Sequence, residues 1–252
     1  MDDLRNTGAI SVCSHFDFEA KPDLSCEQTC RSPEYANMQY AALRTDKVFA
    51  YPYACMETTD PALIEEQNSR MLEYARRHPD IYMWAVLDPG SVGSAEQCLS
   101  FAGEAKVIGT AVLPAFHGYN LQEYEGIVFD VAEKLGGYLC VAAEGNVAGM
   151  AELADRHRNV NMIMSAMKDG TYIELLKAAT CGNLYADTSS GAMINDFLLE
   201  LASENGVADK ILYADGGMNF IRSRIEYALI PDADKRAVLR ENAEKLFAAK
   251  LG

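Results

Sequence analysis

A (β/α)8 barrel, eight parallel strands each followed by a helix, is the fold class this sequence predicts. Two observations lead to it. Short runs rich in β-branched and aromatic residues recur near 9–15, 47–53, 81–87, 107–113, 138–143, 159–165, 183–187 and 210–215, with amphipathic, helix-length segments between them. The runs at 107–113 and 138–143 are nearly all apolar, as strands of a parallel sheet covered on both faces must be. The length of 252 residues suits one such barrel. No linker, low-complexity tract or charge block divides the chain, so 1–252 reads as a single domain. A doubly wound open sheet is the runner-up. The first strand is not followed by the Gly-x-Gly-x-x-Gly of a dinucleotide fold.

Each element has a local reason. In the first run, Ile10, Val12 and Phe16 alternate with small or polar residues, the period of a strand. Cys13 and His15 lie two apart there and share one face. The segment 16–46 is longer and irregular, with a short helix near 33–44. Thr59-Asp60-Pro61 starts a helix over 61–77, with proline at the first helical position and Glu65 and Glu66 following. Further helices are predicted over 93–104, 122–136, 147–157, 171–181, 191–205 and 218–228. In 122–136, Ile127, Val128, Val131 and Leu135 form one stripe that Gly136-Gly137 ends. The last helix, 232–249, buries Val238, Leu239, Ala243 and Leu246.

The composition, 49% hydrophobic and 23% charged, is that of a globular chain. A net charge of −15 argues against nucleic-acid and anionic-membrane partners. No apolar run approaches the ~20 residues of a membrane span. Met1 to Asn6 carry no apolar signal region, so a cytoplasmic protein is expected. The seven cysteines, an odd number, fit a reduced compartment. Cys98, Cys140 and Cys181 sit in apolar contexts and read as small buried hydrophobes. Cys26 and Cys30, four apart in a loop, suit a metal, a bridge or neither.

A barrel places its working site at the C-terminal ends of its strands. There the sequence delivers Cys13, His15, Tyr51, Tyr53, Cys55, Trp84, His117, Tyr119, Glu144, Ser165, Asp187 and Asp215. His78 and His157 precede strands and belong to the opposite, structural face. Asp215 and His15 are the candidate acid–base pair. Tyr53, His117, Tyr119, Glu144 and Ser165 are candidate substrate contacts. Cys13, His15, Glu144 and Asp215 are the one conceivable metal set, for zinc or another divalent ion. Asp187 reads as the cap of the following turn, and Trp84, inside an apolar strand, reads as core.

The segments W-A-V-L-D-P at 84–89, V-I-G-T-A-V-L-P-A-F-H-G-Y at 107–119 and V-F-D-V-A-E-K-L-G-G-Y-L-C-V-A-A-E-G at 128–145 carry a resemblance. So do N-L-Y-A-D-T-S-S-G at 183–191, D-K-I-L-Y-A-D-G-G at 209–217 and E-N-A-E-K-L-F at 241–247. Together they resemble the amidohydrolase superfamily. The likeness is to its amidohydrolase-2 branch of small-molecule hydrolases and decarboxylases related to aminocarboxymuconate semialdehyde decarboxylase. That resemblance implies a metal held by His-x-His on strand 1, histidines on strands 5 and 6, and an aspartate on strand 8. Here those positions are Cys13 and His15, Ala142, Ala166 and, one residue out of register, Asp215 before Gly216. The expectation is therefore a barrel with a degenerate metal site and no cofactor, which binds a small organic molecule. The alternative is a metal-dependent hydrolase or decarboxylase of a small organic acid, lactone or amide with a rebuilt site. A homo-oligomer is plausible for such a barrel.

Overall fold

The computed structural model describes residues 4–20, 32–143, 147–165, 168–178, 182–189, 197–216 and 220–251. Eight parallel strands follow one another in sequence order around one sheet. They are β1 (Ala9–Phe16), β2 (Thr45–Pro52), β3 (Ile81–Val86), β4 (Val107–Val112), β5 (Tyr138–Val141), β6 (Asn161–Met164), β7 (Leu184–Asp187) and β8 (Ile211–Leu212). The expected fold class is the observed one. Every expected strand is present, with the sixth and above all the eighth shorter than their apolar runs. Its next residue, Tyr213, turns its N–H to the Val238 carbonyl and its carbonyl to the Val12 N–H, 2.9 Å each. With the bond from Gly216 N–H to the Cys13 carbonyl at 3.2 Å, this joins the last strand to the first.

Helices pack outside the ring. They are α1 (Pro33–Ala42), α2 (Pro61–Arg77), α3 (Val92–Ser100), α4 (Glu125–Lys134), α5 (Met150–Arg156), α6 (Asp169–Lys177), α7 (Phe197–Glu204) and α8 (Ile221–Tyr227). Asp60 caps α2 by accepting from the Ala62 N–H at 3.0 Å, with Pro61 at the first helical position. The third helix stops before 104 because the chain turns after Ser100 toward Gly103 at φ +83°. A helical run from Asp232 to Leu246, with one π turn at Ala237–Glu241, is followed by a short last helix, Ala248–Leu251. No described helix is long and apolar enough to cross a membrane.

Side chains alternate between two cores. One lies between ring and helices and takes Val48, Met83, Leu139, Met162, Ile211 and Tyr213, among others. The other fills the barrel, with Ile10, Phe49, Trp84, Ile108, Cys140, Ile163 and Leu212. Phe247, just after the Asp232–Leu246 run, packs edge-on to Phe49 and tilted against Tyr138, with ring centroids 4.8 Å away in each case, and plugs the barrel floor. The floor is thus aromatic and dry, and the polar interior lies at the opposite, C-terminal end.

Candidate active site

The mouth of the barrel is organised by an irregularity in β1. Ser11 pairs with Val48 and Ser14 with Ala50, so β1 spends one more residue than β2 over this stretch. Such a bulge re-aims side chains. Val12 and Cys13 both join the barrel interior, and Ser14 faces outward. The Val12 carbonyl accepts from the Trp84 indole Nε1 at 2.8 Å. Trp84 is fully buried and is core, as read from the sequence.

Cys13 therefore reaches the barrel axis, where it meets side chains from across the ring. Ligand atoms of Cys13, Cys140 and Asp187 all lie within 4.8 Å of one another, and all three residues are fully buried. The Asp187 Oδ1 accepts from the Ser189 N–H at 2.9 Å and from the Ser189 hydroxyl. The Ser189 hydroxyl is 2.9 Å from that of Ser165, which lies 3.6 Å from the Cys13 Sγ. The hydrogen bond with Cys140 and burial push the Cys13 thiol up. Asp187 thus caps its turn, as its sequence context indicates, and also presents a carboxylate to two thiols.

Above this cluster stands His15, half-buried, its Nε2 2.8 Å from the Tyr51 hydroxyl. Burial, then the neighbouring Cys13, Cys140 and Asp187, push the Tyr51 hydroxyl well up. Tyr51 therefore remains a phenol at neutral pH, able to donate toward His15.

Asp215 takes another direction. Its Oδ1 accepts from the Ser14 hydroxyl at 3.0 Å. Ser14 has one proton and gives it to Asp215, so Tyr40 of α1 donates to Ser14. The side chain, nearly fully buried, thus lies with Tyr213 on the helix side of the ring rather than in the barrel with Cys13 and His15. Side chains alternate along a strand, so a shift of one residue exchanges the faces. Of the candidate pair, His15 is bonded to Tyr51 and Asp215 to Ser14. Of the candidate metal set, Cys13 and His15 share the mouth, Asp215 is bonded to Ser14, and Glu144 lies outside the described residues, as do Cys26, Cys30, Cys181 and Ala166.

The other candidates occupy the rim. Tyr53 begins a 3-10 turn, Tyr53–Met56. His117 donates from Nε2 to the Cys55 carbonyl at 2.7 Å and so ties the loop after β4 to the loop after β2. Tyr119 packs edge-on to Tyr124 at 5.4 Å and lines, with Pro114, Gln122 and Met150, a cleft of about 850 Å3 beside the mouth. His78, stacked on Tyr74, and His157, bonded to Glu125 at 2.7 Å, keep to the structural face. Sequence reasoning missed Cys140 as a site residue. The available signal was parity: Cys140 and Ala142 sit two apart and point the same way.

No family model and no curated protein matches the chain. Solved structures do. A 2,6-dihydroxybenzoate decarboxylase from Rhizobium superposes with TM-score 0.71 at 17% identity, covering 96% of this chain and 99% of that one. A 5-carboxyvanillate decarboxylase from Novosphingobium aromaticivorans, with bound manganese, gives TM-score 0.76 at 12% identity, covering 97% and 98%. A 4-oxalomesaconate hydratase from Rhodopseudomonas palustris gives 0.66 at 11%, covering 95% and 96%. This chain shares their fold over nearly its whole length. It is the fold that the resemblance to the amidohydrolase-2 branch implies.

The ligand set that the same resemblance implies is met in part by the described residues, and its position after β6, Ala166, lies outside them. Ala142 faces the interior and has no donor atom, and Asp215 faces the helices. A catalytic metal needs about three protein ligands; of the implied positions, Cys13 and His15 on β1 carry donor atoms and Ala142 after β5 does not.

Proposed function

We propose that this chain is an enzyme acting on a small organic acid at the C-terminal mouth of the barrel, by decarboxylation or by hydrolysis of a related lactone or amide. The observation that carries this reading is the His15–Tyr51 pair, in contact at 2.8 Å over the buried Cys13–Cys140–Asp187 cluster. In a fold that serves many reactions, function follows the site rather than the barrel. The neighbours in fold include two aromatic-acid decarboxylases and a hydratase of an unsaturated organic acid, and they support a reactive mouth over an inert one.

In this reading His15, half-buried, exchanges protons with solvent, and Tyr51, fully buried, holds the proton at its hydroxyl. Protonated, His15 also supplies the positive charge that attracts a substrate carboxylate. The rim residues Tyr53, His117 and Tyr119 offer aromatic faces and polar tips to a small ring. A second reading, a barrel that binds such an acid without turnover, is favoured by Ala142, where the resemblance implies a histidine.

The test is a panel of hydroxybenzoates, unsaturated diacids, lactones and amides, followed by product chromatography and carbon dioxide release. Turnover of one class, reduced at least ~100-fold by His15→Ala and by Tyr51→Phe with the fold intact, is the expected result. An acid that raises the melting temperature but is never converted supports the binding-only reading. Turnover unchanged in both variants contradicts the assignment of the site.

A further inference from the structure

We propose that Cys13, Cys140 and Asp187 together bind one thiophilic divalent cation of the zinc class, at a site that shares Cys13 alone with the set that the resemblance implies. The inference deepens the reading of the mouth as the working site, and it concerns binding, which is measured separately from turnover.

The geometry comes first. The three donors arrive from β1, β5 and β7, and their ligand atoms lie within 4.8 Å of one another. A tetrahedral zinc with sulfur at about 2.3 Å and oxygen at about 2.0–2.2 Å separates its donors by about 3.4–3.8 Å. Each pair therefore needs to close by only ~1 Å or a little more, a motion that side-chain rotation supplies without moving strands. Three protein donors also leave one position of a tetrahedral shell open, the arrangement of working rather than structural zinc.

The chemistry of the surroundings agrees. A carboxylate and two thiols share a fully buried site. Burial of ionisable groups is costly unless they are paired or coordinate a metal. Two thiolates and one carboxylate around a divalent ion carry a net charge of about −1, far less than the three anions alone. The carboxylate is already oriented by Ser189, and Ser189 reaches Cys13 through Ser165. Metal sites use such hydrogen-bonded outer groups to fix their ligands.

Apart from Cys13, the site is also displaced from the implied one. Cys140 precedes Ala142 by two residues and so lies about 6–7 Å deeper along its strand. Asp187 belongs to β7, a strand that contributes nothing to the implied set. Thiolate sulfur is soft and selects zinc or cadmium over manganese, so the preferred ion should differ from the manganese of the 5-carboxyvanillate decarboxylase.

The experiment uses the full chain without an affinity tag, reduced and freed of metal with a chelator. It is titrated with cadmium chloride and then, in competition, with zinc and manganese chlorides. The expected result is a thiolate-to-cadmium charge-transfer band saturating at one ion per chain, displaced by zinc and not by manganese. Cys140→Ser should weaken zinc binding by more than about 100-fold, beyond the range of outer-shell changes. Cys98→Ser, on α3, should leave it unchanged. Should Cys140→Ser fail to fold, Cys13→Ser reads the same band. If neither folds, the wild-type band and the order of competition decide. Absence of the band, tighter binding of manganese than zinc, or a band of undiminished intensity and affinity in Cys140→Ser would overturn the inference. The band without turnover of any acid leaves this inference standing and removes the enzymatic reading. Turnover without the band does the reverse.

Discussion

Replacing Trp84 by phenylalanine tests how the mouth is built, because one hydrogen bond links the barrel filling to the strand that carries Cys13. The indole donates to the Val12 carbonyl at 2.8 Å from a fully buried position, one residue before Cys13 in the bulged stretch of β1. Phenylalanine keeps the ring contacts with Phe49 and Phe247, at 6.4 and 6.1 Å in the native protein, but has no donor. A buried carbonyl deprived of its partner costs about 1–3 kcal/mol. The smaller ring leaves a void of roughly 40 Å3, worth about 1 kcal/mol at ~24 cal/mol per Å3. The expected loss is therefore about 2–4 kcal/mol, read from urea unfolding followed by far-ultraviolet circular dichroism, since Trp84 is the one tryptophan of the chain. A loss under ~1 kcal/mol would refute the idea that this buried bond stabilises the fold.

Gly109→Ala should cost about 3 kcal/mol or more, because an added Cβ would meet the Tyr138 carbonyl at 2.3 Å and the Trp84 ring at 3.0 Å; thermal unfolding measures it. Asp215→Asn should cost about 1–3 kcal/mol through its hydrogen bond with Ser14 and leave cadmium stoichiometry unchanged. Loss of the metal band in that variant would place Asp215 in the ligand set after all. Arg156 and His157 hold the Glu125 carboxylate down to about 2, below the usual carboxylate range. That stabilisation is complete above the unfolded value of about 4.3 and is lost as pH falls through about 2. Melting temperature should thus drop across this window, and Glu125→Gln should flatten the drop; an unchanged slope would contradict the pairing.

The fold was legible because its signals are local. Apolar runs, the Asp60-Pro61 cap and the Gly136-Gly137 stop each act over a few residues. The site was only half legible because it depends on parity and on convergence across the ring. Asp215 sits one residue from the interior-facing Ala214, and that single step turns it toward Tyr40. Cys140 lies in an apolar strand that looks like plain core from sequence, and its meaning appears only when β1 and β7 are brought opposite it. The Asp-Thr-Ser sequence that ends β7 reads as a turn cap and is one, so nothing local announced its second role. Nor does the alternation in β1 reveal the extra residue that places both Val12 and Cys13 inside.

The most direct measurement is zinc-edge X-ray absorption on the zinc-loaded full chain. The expected shell holds two sulfur scatterers at about 2.3 Å with oxygen at about 2.0–2.2 Å, and loses one sulfur in Cys140→Ser. A shell of nitrogen and oxygen alone would contradict a thiolate–carboxylate site within the barrel.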